Sequence, residues 1–250
     1  MSGHSKWSKI KHQKGADDVK RGNLFTKLTR EIIVAAKEGG GDPDTNFRLR
    51  LAIQKARDSN MPMDNIDRAI KKGTGDLAGG SLIEITLEGY GPNGIAILVS
   101  ALSDNRNRTI QEVRSSFTRH GGSLGESGCV SWIFESRGVI NINAENVDAD
   151  ELALTAIDAG AEDVQVESGF VEVITKPDAL EKVRATLEQQ KVKIESSELQ
   201  MVPKTLVKLD DKAAMQALKL LDKLEEVDDV QNVYSNADIP DSVLEAMQAS

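Results

Sequence analysis

The chain has 250 residues, 39 % of them hydrophobic and 28 % charged, with a formal net charge of -9 and one cysteine, Cys129. That length buries one core or several small ones without staples, so a peptide hormone or mini-scaffold is excluded, and the composition is that of a folded soluble chain. The longest nearly apolar run, Gly94 to Leu102, is too short to cross a bilayer, and a lone cysteine forms neither an intramolecular disulfide nor a cysteine zinc cluster.

Beyond Met1, residues 1–23 hold only three large apolar residues, Trp7, Ile10 and Val19, among Lys6, Lys9, Lys11, His12, Lys14, Lys20 and Arg21. This reads as a basic arm that packs no core of its own. It lacks an apolar signal segment, and Asp17 and Asp18 argue against a transit peptide, so a cytoplasmic location is expected. Leu24, Leu28, Ile32 and Ala35 then repeat at helical spacing through Lys37, until Gly39-Gly-Gly-Asp-Pro43 stops the helix. A second helix is predicted from Phe47 to about Arg57, with Leu49, Ala52, Ile53 and Ala56 on one stripe. A third follows Pro62, with Asp64 as N-cap, Arg68, Lys71 and Lys72 outward, and Gly73 as C-cap before a linker to Gly80.

Beyond Leu82 the period switches to two. Leu82 to Leu87 alternates, Gly89 to Gly94 makes a turn, and Ile95 to Ala101 reads as a buried strand. A helix is predicted from Thr109, whose spacing to Glu112 fits a capping box, and Val130 to Phe134 reads as a strand. Then come a strand over 138–142, a helix over 150–159, strands near 164 and over 171–175, a helix over 178–189 and a strand over 193–201. Strand-helix-strand twice over is the ferredoxin-like order. A strand over 205–209, a helix over 212–225 and a strand near 230–234 complete an interrupted unit. The expected class is α+β: an N-terminal three-helix domain (1–78) and two ferredoxin-like domains, the second (137–202) inserted into the first (79–136 and 203–240).

Charge divides the chain. Residues 1–75 carry 16 Lys+Arg against 9 Asp+Glu, residues 76–140 carry 5 against 7, and residues 141–250 carry 10 against 24. A cationic end that meets an anion, and an acidic end that like charge keeps away from one, account for this. Cations along a flexible arm each neutralise a phosphate and release counterions, and twenty residues reach about 60–70 Å when extended. Trp7 suits either stacking on a base or plugging the helical domain. A second anion seat is expected at Asp104-Asn-Arg106-Asn-Arg108-Thr109, where arginines meet a helix N-terminus, with Arg114 and Arg119 further along that helix.

The other motifs fail on context. Gly89-x-Gly91-x-x-Gly94 spells a dinucleotide fingerprint, but a strand follows instead of the helix whose N-terminus would receive the pyrophosphate. Gly121-Gly-Ser123-Leu-Gly125 spells a nucleophile elbow, but it follows a helix, and no histidine comes after His120, so a hydrolase using Ser123 with His120 is rejected on topology. His4, His12 and His120 show no metal-ligand spacing. No catalytic residue, metal or cofactor is expected.

Ten motifs in one order, among them Gly3-His-Ser-Lys-Trp7, Ile10-Lys-His-x-Lys14, Lys20-Arg-Gly-x-x-Phe-Thr-Lys27, Arg48-Leu-Arg50, Asn60-Met-Pro62, Arg68-Ala-Ile-x-Lys72, Glu88-Gly-Tyr-Gly-Pro92 and Asp104 to Thr109, resemble the YebC family. The resemblance is strongest through about residue 125 and departs at Leu87, where tyrosine is common, and at Phe47, where proline is frequent. It implies a non-enzymatic, cytoplasmic, three-domain protein acting on gene expression. Members are described as DNA-binding transcription regulators or as ribosome-associated factors that ease peptide-bond formation at difficult sequences such as proline runs. The mitochondrial relative is the translational activator of cytochrome c oxidase subunit one. The expected partner is therefore DNA, or ribosomal or transfer RNA on the ribosome, with no membrane. The residues expected to bind nucleic acid are Lys6, Lys9, Lys11, His12, Lys14, Lys20, Arg21, Lys27, Arg106, Arg108, Arg114 and Arg119. Outward faces of the helical domain offer Arg and Lys but few Asn or Gln placed to read bases, so weak sequence specificity follows.

Overall fold

The computed structural model describes residues 18–77, 81–143, 148–167, 170–190 and 192–248. Three helices come first: α1 (Asp18–Gly39), α2 (Phe47–Asp58) and α3 (Met63–Thr74). Both α2 and α3 lie against α1, and Leu28, Ile32, Ala35, Leu49, Ala52, Ile53, Ile66 and Ala69 make the shared core, as the helical spacing requires. Asn46 ties the first two together. Its amide donates to the Ala35 and Gly40 carbonyls at 2.7 and 2.8 Å, and its side-chain oxygen accepts from Leu49 N at 3.0 Å. One buried residue thus closes α1 and caps α2.

The caps of α3 differ from expectation. Pro62 occupies the N-cap position without a side-chain bond, Asp64 lies in the first turn, and Gly75, at φ 89°, is the left-handed C-cap. Gly73 serves packing instead. A Cβ there would sit 2.5 Å from the Ile33 carbonyl oxygen, so glycine is what lets α3 approach α1.

The outer α+β domain is built from two stretches of chain. Strand β1 (Ile83–Tyr90) pairs antiparallel with β2 (Ala96–Ser103), and a short 3-10 turn, Pro92–Gly94, joins them. Helix α4 (Arg106–Arg119) leads to β3 (Ser123–Leu124). After the insertion, β8 (Val207–Lys208), α7 (Asp211–Glu225), β9 (Val230–Ser235), β10 (Ala237–Asp238) and α8 (Asp241–Gln248) follow. The sheet order is β3-β1-β2-β9, while β8 and β10 pair separately. One face, carrying Ile85, Leu87, Ile97, Val99, Ala101 and Val233, packs on Val113 and Phe117 of α4 and Leu218, Leu220, Leu221 and Leu224 of α7. The opposite face of β1 carries Glu84, Thr86, Glu88 and Tyr90.

Two local expectations change here. Helix α4 begins at Arg106, capped by Asn105, whose side chain accepts from Arg108 N. Thr109 is buried inside the helix and makes no capping box. The run after Val130 is no strand: Ser131–Ile133 forms a 3-10 turn and the next strand starts at Phe134.

The insertion, Phe134–Val202, is a compact unit, and the described chain before and after it forms another. It contains β4 (Phe134–Asn143), α5 (Ala149–Ala159), β5 (Ala161–Glu167), β6 (Phe170–Thr175), α6 (Leu180–Gln189) and β7 (Ile194–Pro203). The sheet order β5-β6-β4-β7 is the ferredoxin-like one, with β6 antiparallel to both β4 and β5. Alternating burial at Ile140, Ile142, Val171 and Val173, with Leu152, Ala156, Val183 and Leu187 on the helices, supplies its core. The class is α+β: a three-helix domain followed by two sheet domains, the second inserted in the first.

Candidate nucleic-acid interface

Lys6, Lys9, Lys11, His12 and Lys14 lie outside the described residues. Lys20 and Arg21 fall in the first turn of α1. Most of the remaining cations of α1 and α2 are engaged internally, while Arg57 stands exposed. Lys27 Nζ donates to the Glu225 carbonyl at 2.7 Å, an ammonium at the carbonyl end of α7 where the helix dipole favours it. Arg30 donates to the Asp228 carbonyl and meets Asp229 Oδ1 at 3.2 Å. Arg48 gathers Glu31 at 2.9 Å, Glu38 at 2.7 Å and Glu84, and although burial disfavours its charge, Glu31 and Glu84 raise its pKa. Arg50 donates to the Pro43 carbonyl at 2.7 Å and lies over the Phe47 ring. The Arg48-Leu-Arg50 motif is therefore a set of struts.

The turn before α4 is likewise occupied from within. Arg108 Nη2 bonds Asp104 Oδ1 at 2.9 Å and Asp229 Oδ2 at 2.7 Å. Asp229, buried between strands and helices, also accepts from the Thr109 hydroxyl at 2.7 Å and the Ser103 hydroxyl at 2.9 Å. Burial opposes its ionisation, but Arg108, Thr109, Ser103 and Arg30 together hold its pKa below the usual carboxylate value. The anion that the segment from Asp104 to Thr109 was expected to seat is thus supplied by the chain itself, as Asp229. Arg106, Arg114 and Arg119 are exposed, and their guanidinium groups make no hydrogen bond or ion pair among the described residues. They do not converge. At about 100° per residue, Arg114 and Arg119 point some 140° apart around the helix, and Arg106 lies about 20 Å from Arg119 along it.

A tighter cationic group stands on α3. Arg68, Lys71 and Lys72, three and four residues apart, share one exposed face opposite Ile66 and Ala69. The sequence marks them as outward-facing. Their grouping becomes visible once the buried stripe is fixed.

The Glu88-Gly-Tyr-Gly motif, whose glycines only mimic a nucleotide fingerprint, builds a loop. Glu88 is buried, and its carboxylate accepts from the backbone N–H of Gly128 at 2.7 Å, Val130 at 2.8 Å and Ser131 at 2.7 Å. Burial alone would raise its pKa; those donors and the Ser131 hydroxyl lower it on balance. Gly89 lets the Phe117 ring approach within 2.8 Å of where a Cβ would stand. Above this anchor sit two exposed aromatics whose polar atoms share one acceptor. Tyr90 OH donates to the Cys129 carbonyl at 3.0 Å and Trp132 Nε1 donates to it at 3.1 Å. Desolvation of the half-buried Cys129 and the charges of Glu88 and Glu126 raise its thiol pKa, the opposite of what activates a nucleophile.

His120 Nδ1 lies 2.8 Å from the Ser116 carbonyl of its own helix. Among the described residues, no group of three or more His, Cys, Asp and Glu is placed to hold a metal, and no helix is long and apolar enough to cross a membrane.

Residues 5–76 match the family described as TACO1/YebC protein N-terminal domain, and residues 82–237 match the TACO1/YebC second and third domain. The chain is 62 % identical over 245 residues to a probable transcriptional regulatory protein of Dehalococcoides mccartyi strain BAV1, covering 98 % of each chain. A protein of the same name from Geobacter sulfurreducens is 56 % identical over 247 residues, covering 99 % of this chain and 100 % of that one. The crystal structure of a conserved hypothetical protein of Aquifex aeolicus superimposes with a TM-score of 0.83 at 49 % identity, covering 91 % of this chain and 94 % of that one.

Proposed function

The chain belongs to the TACO1/YebC family, and from that premise we propose that it is a non-enzymatic, cytoplasmic regulator of gene expression that binds nucleic acid through its cationic N-terminal region. Its relatives' shared name, probable transcriptional regulatory protein, supports a regulator of this kind, for which DNA is the first target to test. The observation that carries the binding reading is the charge division: 16 Lys+Arg against 9 Asp+Glu in residues 1–75, in a chain whose net charge is -9. The phosphate-holding set is Lys6, Lys9, Lys11, His12, Lys14, Lys20 and Arg21, extended on the folded surface by Arg68, Lys71 and Lys72, with Arg106, Arg114 and Arg119 as separate outlying contacts. In this division the arm and helices (1–78) hold most of the phosphates, 79–136 adds the outlying contacts, and the strongly acidic remainder (137–202 and 203–240) stays clear of them.

A second reading, a ribosome-associated factor that binds RNA and eases peptide-bond formation at difficult sequences, is favoured by the helical faces. The exposed side of α3 offers point charges and no Asn or Gln pair placed over a base edge, which suits recognition by phosphate and shape.

The test is a sucrose gradient of lysate at stepped salt, comparing the intact chain with Lys9, Lys11 and Lys14 all changed to Glu. With about six phosphates engaged, log affinity falls with log salt at a slope near -4 to -5. Arm-dependent migration with ribosomes establishes the translational reading; absence from ribosomes with arm-dependent retention on DNA establishes the transcriptional one. Binding that survives charge reversal overturns the role of the arm.

A further inference from the structure

We infer that Trp132 and Tyr90 form a seat for one unpaired base of single-stranded RNA. The inference rests on the nucleic-acid reading and adds to it a contact that charge does not supply. Trp132 is 68 % exposed and Tyr90 40 %. A single exposed apolar residue is ordinary, but these two are oriented. Both polar handles donate to the Cys129 carbonyl oxygen, which brings them within about 6 Å of each other and leaves ring faces and edges as what they offer to solvent.

The support beneath them is stiff. Glu88 fixes the loop by three backbone donors, Gly125 N adds a bond to the Glu88 carbonyl at 2.8 Å, and Gly128 takes a left-handed turn at φ 88°. Gly125 also fits closely, since a Cβ there would meet Cys129 Sγ at 2.6 Å. Aromatic surface held in place before binding loses little freedom on stacking.

The surroundings select a base over an apolar peptide. Along the loop stand Glu126, Ser127, Gly128 and Ser131, while of its aliphatic residues Val130 is fully buried and Ile133 half-buried, so the exposed surface beside the aromatics is mostly polar. The exposed Lys204 donates to the Trp132 carbonyl at 3.1 Å and so brings one cation close; Glu126 brings one carboxylate. With Glu88 beneath the loop as a second carboxylate, negative charge outweighs the one cation, so the seat takes the ring of a nucleotide and not its phosphate. Duplex bases are stacked already, and unpaired bases are what aromatic side chains take up when RNA is recognised.

Trp7→Phe leaves Trp132 as the sole indole, since the chain has two tryptophans. Titration of that full-length variant with single-stranded oligoadenylate is expected to quench its emission saturably, and an RNA duplex of equal length is expected to leave it unchanged. In a parallel binding assay, Trp132→Ala weakens single-strand affinity at least about fivefold, leaves duplex affinity and the salt slope as they were, and leaves the melting temperature unchanged; Trp132→Phe recovers most of the affinity. Equal single-strand affinity of Trp132→Ala and the parent, or parallel loss on single strand and duplex, overturns the seat alone. A parent chain that binds neither strand nor duplex overturns the nucleic-acid reading and the seat with it. Quenching by single-stranded DNA but not by RNA overturns the assignment to RNA.

Discussion

Two buried carboxylates, Asp229 and Glu88, organise two polar segments of the outer domain in opposite ways. Asp229 is satisfied by side chains: Arg108, Thr109, Ser103 and, from α1, Arg30. Glu88 is satisfied mainly by backbone N–H groups of 128, 130 and 131. The first draws in a cationic segment and consumes it as structure. The second is met mainly by the main chain, with the Ser131 hydroxyl beside it, and so shapes the loop next to which Trp132 stands exposed. A carboxylate met by side chains joins elements, whereas one met by the main chain shapes a loop.

Deletion of Glu88 tests this most severely. Glu88→Ala strands three backbone donors, one buried and two part-buried, and we expect a loss of about 3–5 kcal/mol in urea unfolding, with faster amide exchange at Gly128, Val130 and Ser131. Asp229→Ala should cost less, about 2–4 kcal/mol, because Arg108 and Arg30 can turn to water. A double-mutant cycle with Arg108→Ala should return a coupling of at least about 1 kcal/mol. If Asp229→Ala proves the costlier of the two, the contrast drawn above is wrong.

Acid sharpens the comparison. Both carboxyls are more acidic folded than unfolded, so their stabilisation is complete above the ordinary carboxylate pKa of about 4 and is lost as pH falls through their lowered folded values. The urea midpoint should therefore drop on going below about pH 4, and Asp229→Asn should make that drop shallower. The smallest effect is expected at Ser103→Ala, about 1 kcal/mol for one of several donors to Asp229.

What the sequence disclosed, and what it did not, divides along the same line. Helices α1, α2 and α7 and strands β2, β4 and β6 follow from spacing, because one-sided burial imposes a period that residues display locally. Asn105 and Thr109 are both cap-forming types four residues apart, and the choice between them is made by Asp229, some 120 residues later in the chain. Glu88 sits on the polar alternation of β1 as any surface glutamate would, and its donors arrive from a loop that has no period. Val130 to Phe134 reads as a strand because it is apolar, yet Glu88 holds its start and the 3-10 turn puts Trp132 outside. Arg108 was expected to face a phosphate; from sequence, a cation's partner is invisible when it lies in another element. The α3 cations were legible as outward-facing, because the apolar residues Ile66 and Ala69 fix the buried side of that helix.

The interruption of the outer domain sets a timetable for its synthesis. Strand β2 is bordered by β1 on one side and by β9 on the other, with Ile97 opposite Ser235 and Val99 opposite Val233. At about 5–20 residues per second of chain elongation, β9 emerges on the order of ten seconds after β2. Strands β4 to β7, contiguous in the chain, can close their own sheet within that interval. Throughout it, β2 keeps an open hydrogen-bonding edge beside an unfinished core, the condition that favours strand capture by another nascent chain. Slow translation through the insertion prolongs that exposure without touching a residue of the outer domain.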